Sequence, residues 1–410
     1  MKAGPLSTLN KQIAVHVSAL TATKTADGLI DPKLVLAWLM STIGAPGFLI
    51  GLLVPIREAG SLLPQLLLAR SVQRATRRKY WWVAGSAVQG LAAFGIAAAA
   101  LMLTGSTAAW IILACLATLA VARSACSVSY KDVLARTIEQ GQRGRVSGLA
   151  GTVSAIAVFG FAILLATGLL PREPRFVAGA VAVAGGLWIF AAAVFFLLDE
   201  KPNGEDAEAN DALAGMLRPL REDAELRTYI ATRGLLISTA LAPPFMVMLG
   251  NARNAEFGNL GLLILASSVA AIVSSYLWGA LSDRSSRQTM MLAGMLAALT
   301  LAAAALTAYF SASSVAGLAV ASFVFFAQIA YQGARGGRKT HLTDMDTHDR
   351  KAIYTAVSNS VVGLLLLAGG ALGLLADWAG PETVLALLAF MSLLSTVFAF
   401  GLSEVQRDKD

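Results

Sequence analysis

Lys24, Asp27 and Asp31 follow one another at i, i+3 and i+7, a spacing that places all three on one face of an α-helix. Arg57 and Glu58 form a second charged group. Adjacent helical residues point about 100° apart, so one of these two can face an aqueous path while the other pairs sideways. All five sit near stretches that are otherwise apolar. A charge at the centre of a bilayer costs at least about 2.5–3.5 kcal/mol on insertion scales, which makes such residues functional candidates. Two carboxylates an i, i+4 step apart in low dielectric resist ionising together, and a cation such as Arg57 or Lys24 acts in the opposite sense. Two roles suit that chemistry: a site exchanging a proton for a charged substrate, or a static ion-pair network joining the first two helices.

Prolines fall at the same depth. Pro32 cannot donate to the carbonyl of Gly28, and Pro243 and Pro244 leave the carbonyls of Thr239 and Ala240 free. Helices interrupted at corresponding positions of two repeats point to a transporter's binding site, although a plain kink has the same sequence. In the second half Arg233, Gln328, Tyr331, Gln332, Ser358 and Asn359 are polar residues in apolar surroundings, placed either to line a cavity or to bond another helix. Arg123 contacts substrate or snorkels to the interface. His16, His341 and His348 form no ligand set, and no phosphate loop, HExxH or CxxC pattern is present. No metal, cofactor or enzymatic chemistry is therefore expected.

Such residues need a scaffold, and the composition says which kind. Of 410 residues, 56% are hydrophobic and 14% charged. A water-soluble domain carries roughly 25% charged residues, so this chain is too poor in polar surface for water. Apolar runs near 80–103, 107–129, 146–170, 176–198, 228–250, 257–279, 289–309, 313–335, 352–376 and 383–402 are each long enough to cross a bilayer as a helix. The net charge of +7 lies in short loops between those runs, which is a topological bias and not a nucleic-acid face. Met1–Asn10 lacks the apolar core of a signal peptide. Cys115 and Cys126, about 16 Å apart along one helix, are beyond disulfide reach and read as packing residues.

The N-terminal end is ambiguous by hydropathy, which takes Leu34–Val54 as one span and leaves 61–69 as a stub. An internal repeat with an offset of about 210 resolves it. Ser282–Arg287 overlies Val72–Arg77, Lys339 overlies Lys131, and Pro243 overlies Pro32 with one residue of slip. The repeat predicts a first span near 18–42, a second near 47–69, and a tight turn at Gly44–Gly47. The expected architecture is all-α and polytopic: twelve transmembrane helices in two six-helix pseudo-repeats, residues 1–198 and 228–410, joined by a linker at 199–227. Within that linker 210–226 reads as a short surface helix. The connections near 70–79, 131–145, 282–288 and 335–351 are rich in Lys and Arg, while the alternate ones hold only Arg172, Arg175 and Arg253. Positive residues stay inside, so both termini and the linker are expected in the cytoplasm of an inner-membrane protein.

Twelve spans in two halves resemble the major facilitator superfamily. The segment Gly279-Ala280-Leu281-Ser282-Asp283-Arg284-Ser285-Ser286-Arg287-Gln288 is similar to that family's loop signature, with Ser286 in place of a glycine and Gln288 in place of a basic residue. The equivalent loop Ala69–Lys79 keeps the positive charges but has Gln73 where the family has aspartate. The resemblance implies that Gly279, Asp283, Arg284 and Arg287 form a cytoplasmic gate; the same arginines otherwise set topology and meet lipid phosphates. Leu119-x-x-x-Arg123 is similar to a pattern in proton-coupled members, although Cys126-Ser127 replace its Gln-Gly. Span 5 lacks the Gly-Pro pair of the drug/proton antiporters. The implied function is secondary active transport of a small polar solute by alternating access, coupled to protons. Asp27, Asp31, Lys24, Arg57, Glu58 and Arg123 are the expected coupling and substrate residues. The expected partners are a small molecule, protons and the lipid bilayer, without nucleic acid, and the working unit is a monomer. The alternative is a transporter-like fold serving as an assembly factor, receptor or sensor.

Overall fold

A computed structural model of the chain describes residues 5–171, 173–202, 217–252, 260–310, 317–345 and 351–406. Arg172, Arg253, His348 and linker positions 203–216 lie outside the described residues. Every regular element among the described residues is helical: α1 Pro5–Leu29, α2 Val35–Thr42, α3 Gly47–Gly51, α4 Leu53–Leu62, α5 Pro64–Gln73, α6 Lys79–Met102, α7 Gly105–Thr137, α8 Gln140–Ala166 and α9 Pro174–Phe196. There follow α10 Leu217–Glu222, α11 Ala224–Leu235, α12 Ser238–Ala252, α13 Leu260–Arg284, α14 Ser286–Phe310, α15 Gly317–Asp344, α16 Lys351–Gly369, α17 Leu372–Ala379 and α18 Pro381–Phe400.

Nine helical segments among the described residues are long and apolar enough to cross a membrane. They expose Met102, Trp110, Ile156, Leu277, Phe390 and Phe400. Apolar side chains facing outward at that density suit lipid and not water. The chain is a multi-pass membrane protein. The remaining expected spans are not single apolar helices. The segment 18–42 is broken at Ile30–Leu34, because Pro32 supplies no N–H to the ladder. The segment 47–69 becomes α3, α4 and α5, interrupted at Leu52 and Leu63. Pro55 and Pro64 stand near the starts of the helices that follow, where a missing N–H is tolerated. α15 is long, but Arg335, Arg338 and Lys339 occupy its last third.

The expected turn at Gly44–Gly47 is present and has a defined form. Gly44 takes φ 79°, its N–H donates to Ser41 O, and the Ala45 N–H donates to Met40 O. This pair of bonds is a Schellman cap, which favours glycine at the left-handed position. The expected loops at 131–145 and 282–288 are shorter than predicted. α7 runs on to Thr137 and α8 starts at Gln140, while only Ser285 separates α13 from α14. Nor is 210–226 a single helix: Asp223 ends α10 and caps α11 by accepting the Leu226 N–H.

The helices gather into two compact units. The first contains residues 1–31, 56–161 and 170–210, and in it α6 packs along both α7 and α9. Close approach there depends on missing side chains: a Cβ on Gly90 would lie 2.8 Å from Gly185 O, and one on Gly185 would lie 2.9 Å from Gly90 O. The second contains residues 32–55, 162–169 and 211–410, in which α14 packs on α15 and α18, and α3 meets α17.

A similar device ties α6 to α9 in the first unit and α14 to the segment after α18 in the second. In the first, buried Glu200 accepts the backbone N–H groups of Arg78 and Lys79 at the start of α6. Lys79 Nζ donates in turn to Phe196 O and Leu198 O at the end of α9. In the second, Gln406 accepts the Ser286 N–H at the start of α14, and Arg287 donates to Leu402 O beyond α18. Helix starts leave N–H groups unsatisfied, and a remote side chain supplies the missing acceptor in both units.

Candidate functional site

Asp27 lies in the last turn of α1, and its two carboxylate oxygens are held by different helices. Arg57 Nη2 of α4 donates to Oδ1 at 2.8 Å, and Arg123 Nη1 of α7 reaches Oδ2 at 2.7 Å. All three side chains are at most one-third exposed. Charge-assisted bonds of that length are about twice as strong as neutral ones. One carboxylate thus couples three helices.

Lys24, three residues earlier on the same face, turns to another partner and donates to Ser147 O of α8 at 3.2 Å. Its ammonium also lies 3.3 Å from the point a Cβ on Gly151 would occupy. Glu58 is half-buried on α4, next in the chain to Arg57. Asp31 does not share the helical face predicted for it, because it stands in the break before Pro32, beyond the last residue of α1. The i, i+7 relation with Lys24 holds only while the helix continues, and Pro32 ends it.

In the second unit the structure joins three of the expected polar residues. Buried Arg233 on α11 donates from Nη1 to Ser358 Oγ at 2.6 Å and from Nη2 to Asn359 Oδ1 at 2.8 Å, both on α16. Gln328, Tyr331 and Gln332 are half-buried on one face of α15. Tyr331 has a partner that the sequence did not single out: Lys33 Nζ lies 3.3 Å above its ring centroid, and Lys33 is only 9% exposed. A cation over an aromatic face gains most when desolvated. Lys33 follows Pro32 directly, and an ammonium next to a helix-breaking proline was the available signal. Pro243 and Pro244 lie inside α12 without breaking it; the break in this stretch comes earlier, at Leu236–Ile237.

The residues of the expected gate separate into two groups. Gly279, Asp283 and Arg284 are exposed at the end of α13. Arg287 is half-buried at the start of α14, 3.3 Å from Glu404 and over the Phe400 ring at 5.9 Å. Near it Ser286 Oγ meets His341 Nδ1 at 3.0 Å, and Gln406 Nε2 donates to Asp344 at 3.1 Å. Glu200 and Gln406 were missed in the sequence. Their positions differ by nearly the repeat offset, which was the signal that could have found them.

Comparison with known proteins adds to this geometry. Residues 228–410 match the family model of the Major Facilitator Superfamily. The sequence matches no curated protein. Among solved structures, the chain is similar to the nucleoside transporter NupG, with a TM-score of 0.75 and 11% identity over 95% of this chain and 99% of that one. It is also similar to a POT family transporter in complex with a thioalcohol-conjugated peptide, with a TM-score of 0.72 and 10% identity over 96% and 98% of the two chains. A third likeness is to a POT family transporter in complex with 5-aminolevulinic acid, with a TM-score of 0.71 and 9% identity over 95% of each. At these identities the likeness is one of fold.

Proposed function

We propose that the chain is a member of the major facilitator superfamily, whose family model residues 228–410 match, and that it is a secondary active transporter moving a small polar solute by alternating access, coupled to protons. It sits in the inner membrane with both termini cytoplasmic, on the distribution of Lys and Arg among its loops. The fold alone does not assign a function, so the reading rests on the site. The observation that carries it is the carboxylate of Asp27 shared between Arg57 and Arg123.

The coupling follows from charge. A proton on Asp27 cancels the negative charge that both guanidiniums share and weakens both bridges together. Arg123 is then free to turn its donors to a polar group of the solute, and losing the proton draws it back. Proton and solute thus act on the two partners of one ion pair, Asp27 and Arg123, which is the requirement for linkage between two ligands. Lys24 lies one turn away on α1 and ties the same region to α8 through Ser147 O. In the second unit Arg233, held by Ser358 and Asn359, offers fixed donors of the same type.

The test is solute-dependent proton movement. Purified protein in liposomes loaded with a pH-sensitive dye is given a panel of polar metabolites on the outside. The reading expects at least one solute to acidify the lumen through the wild-type protein and not through Asp27→Asn. A panel that produces no proton movement, or equal movement through the variant, would contradict it.

A further inference from the structure

The first unit holds a cavity of about 230 Å³ between α1, α6 and α7. Among the described residues its charged lining has a single sign: Lys24, Arg123 and Lys131 contribute, and no carboxylate does. Asp27 reaches Arg123 without lining the space, and it is shared with Arg57.

Two buried polar groups on the cavity wall carry unmet hydrogen-bonding capacity. Gln89 is 1% exposed, and its Nε2 donates to Gly85 O at 3.2 Å and to Cys126 Sγ at 3.3 Å. A carbonyl only accepts, so the amide cannot be turned over, and Oε1 has no partner among the described residues. The buried hydroxyl of Tyr130 likewise has none there. Buried polar atoms are almost always paired in native proteins, and an exception calls for an unseen partner.

Two aromatic rings, Trp82 and Tyr130, also line the space, beside Leu20 and the small side chains of Thr23, Ser86, Cys126 and Ser127. Trp82 packs on Phe195 with centroids 4.0 Å apart and planes tilted by 33°, and Tyr130 packs edge-on against His16 at 5.7 Å. Rings fixed in this way offer rigid surface to a planar body.

We propose that this cavity binds a small organic anion: an oxyanion head against Lys24, Arg123 and Lys131, and a planar body against Trp82 and Tyr130. Gln89 and Tyr130 meet polar substituents on that body. The statement that this anion is also the transported solute rests on the function proposed above; the binding itself does not.

The experiment is calorimetric titration of the purified full-length protein in detergent at neutral pH. The probes are benzoate, its uncharged isostere benzamide, the cation benzylamine, and the non-planar anions butyrate and phosphate. Benzoate is expected to bind at least tenfold more tightly than each of the others. Lys24→Gln and Arg123→Gln should each weaken it at least tenfold, while Arg123→Lys, which keeps the charge, should retain most of the affinity. Equal binding of benzamide or benzylamine, tighter binding of phosphate, or no benzoate binding to the folded wild-type protein would overturn the proposal. Failure of the two ideas can be told apart. Benzoate binding without proton-linked uptake removes the transporter and leaves the anion cavity. Proton-linked uptake of a polar solute by protein that binds no benzoate removes the anion cavity and leaves the transporter.

Discussion

Asp27 Oδ2 stands 2.7 Å from Arg123 Nη1, joining α1 to α7, while its other oxygen is bound to Arg57 of α4. The arrangement is asymmetric: one acceptor serves two donors. Removing the acceptor leaves two guanidiniums uncompensated, whereas removing either arginine leaves one bridge intact. Hydrogen bonds to charged groups contribute about 1.5–3 kcal/mol each. Asp27→Ala should therefore lower the thermal unfolding midpoint in detergent more than either Arg57→Ala or Arg123→Ala. A smaller effect of the aspartate variant would contradict the shared geometry.

Glu200 and Gln406 perform one task with different chemistry, and their surroundings account for the difference. Glu200 accepts two N–H groups, so Glu200→Ala leaves both without their acceptor at the start of α6. The expected loss is roughly 2–4 kcal/mol, since an unsatisfied buried group costs about 1–3 kcal/mol. Gln406 must also donate to Asp344, which a carboxylate cannot do. Gln406→Glu should destabilise the protein, while Glu200→Gln keeps one acceptor and should cost less than Glu200→Ala. Chemical unfolding followed by tryptophan fluorescence compares the three variants with the wild type.

These features show how much the sequence disclosed. Long apolar runs fixed the positions of α6, α9, α14 and α18 to within a few residues, because hydropathy needs no tertiary information. The Gly44 turn was hidden from hydropathy, which ran through it, and was located by the internal repeat; its cap bonds join neighbouring residues. Asp27, Arg57 and Arg123 stood out as charges among apolar residues, but nothing local indicates that one carboxylate serves both arginines. The relation between Lys24 and Asp31 was misread because a single proline ends α1, and spacing arguments assume an unbroken helix. Lys33 over Tyr331 joins positions far apart in the chain, which periodicity does not reach.

His16, ahead of the 18–42 span, makes stability depend on pH. Thr137 Oγ1 commits its hydrogen to Val133 O, so His16 Nε2 is the donor to Thr137 at 2.8 Å. Nδ1 is buried with no partner among the described residues, so protonation would put an unmatched N–H there. Burial pulls this imidazole from the usual 6.5 down to about 4. The neutral form is favoured in the fold, so its stabilisation is fully present above pH 6.5 and is lost as pH falls from 6.5 towards 4. The full effect is on the order of 3 kcal/mol. Wild-type protein should lose thermal stability between pH 7.5 and 5 more steeply than His16→Gln; parallel curves would contradict this.

The contact of α6 with α9 at Gly90 and Gly185 leaves no room for a side chain, since each added Cβ would fall within 3 Å of the opposing carbonyl oxygen. Backbone cannot yield as a flexible side chain can. Overpacking of this kind costs about 1–3 kcal/mol. Gly90→Ala should lower the unfolding midpoint clearly, whereas Gly186→Ala, with open space around its Cβ, should leave it nearly unchanged.

The central claim is that Asp27 links proton movement to solute movement. It is tested most directly by comparing two modes of uptake in liposomes for one transported solute. Exchange of labelled for unlabelled solute needs no net proton transfer, whereas accumulation under an inward proton gradient does. The account predicts that Asp27→Asn still exchanges solute but no longer accumulates it. Accumulation by the variant at the wild-type level would contradict the account.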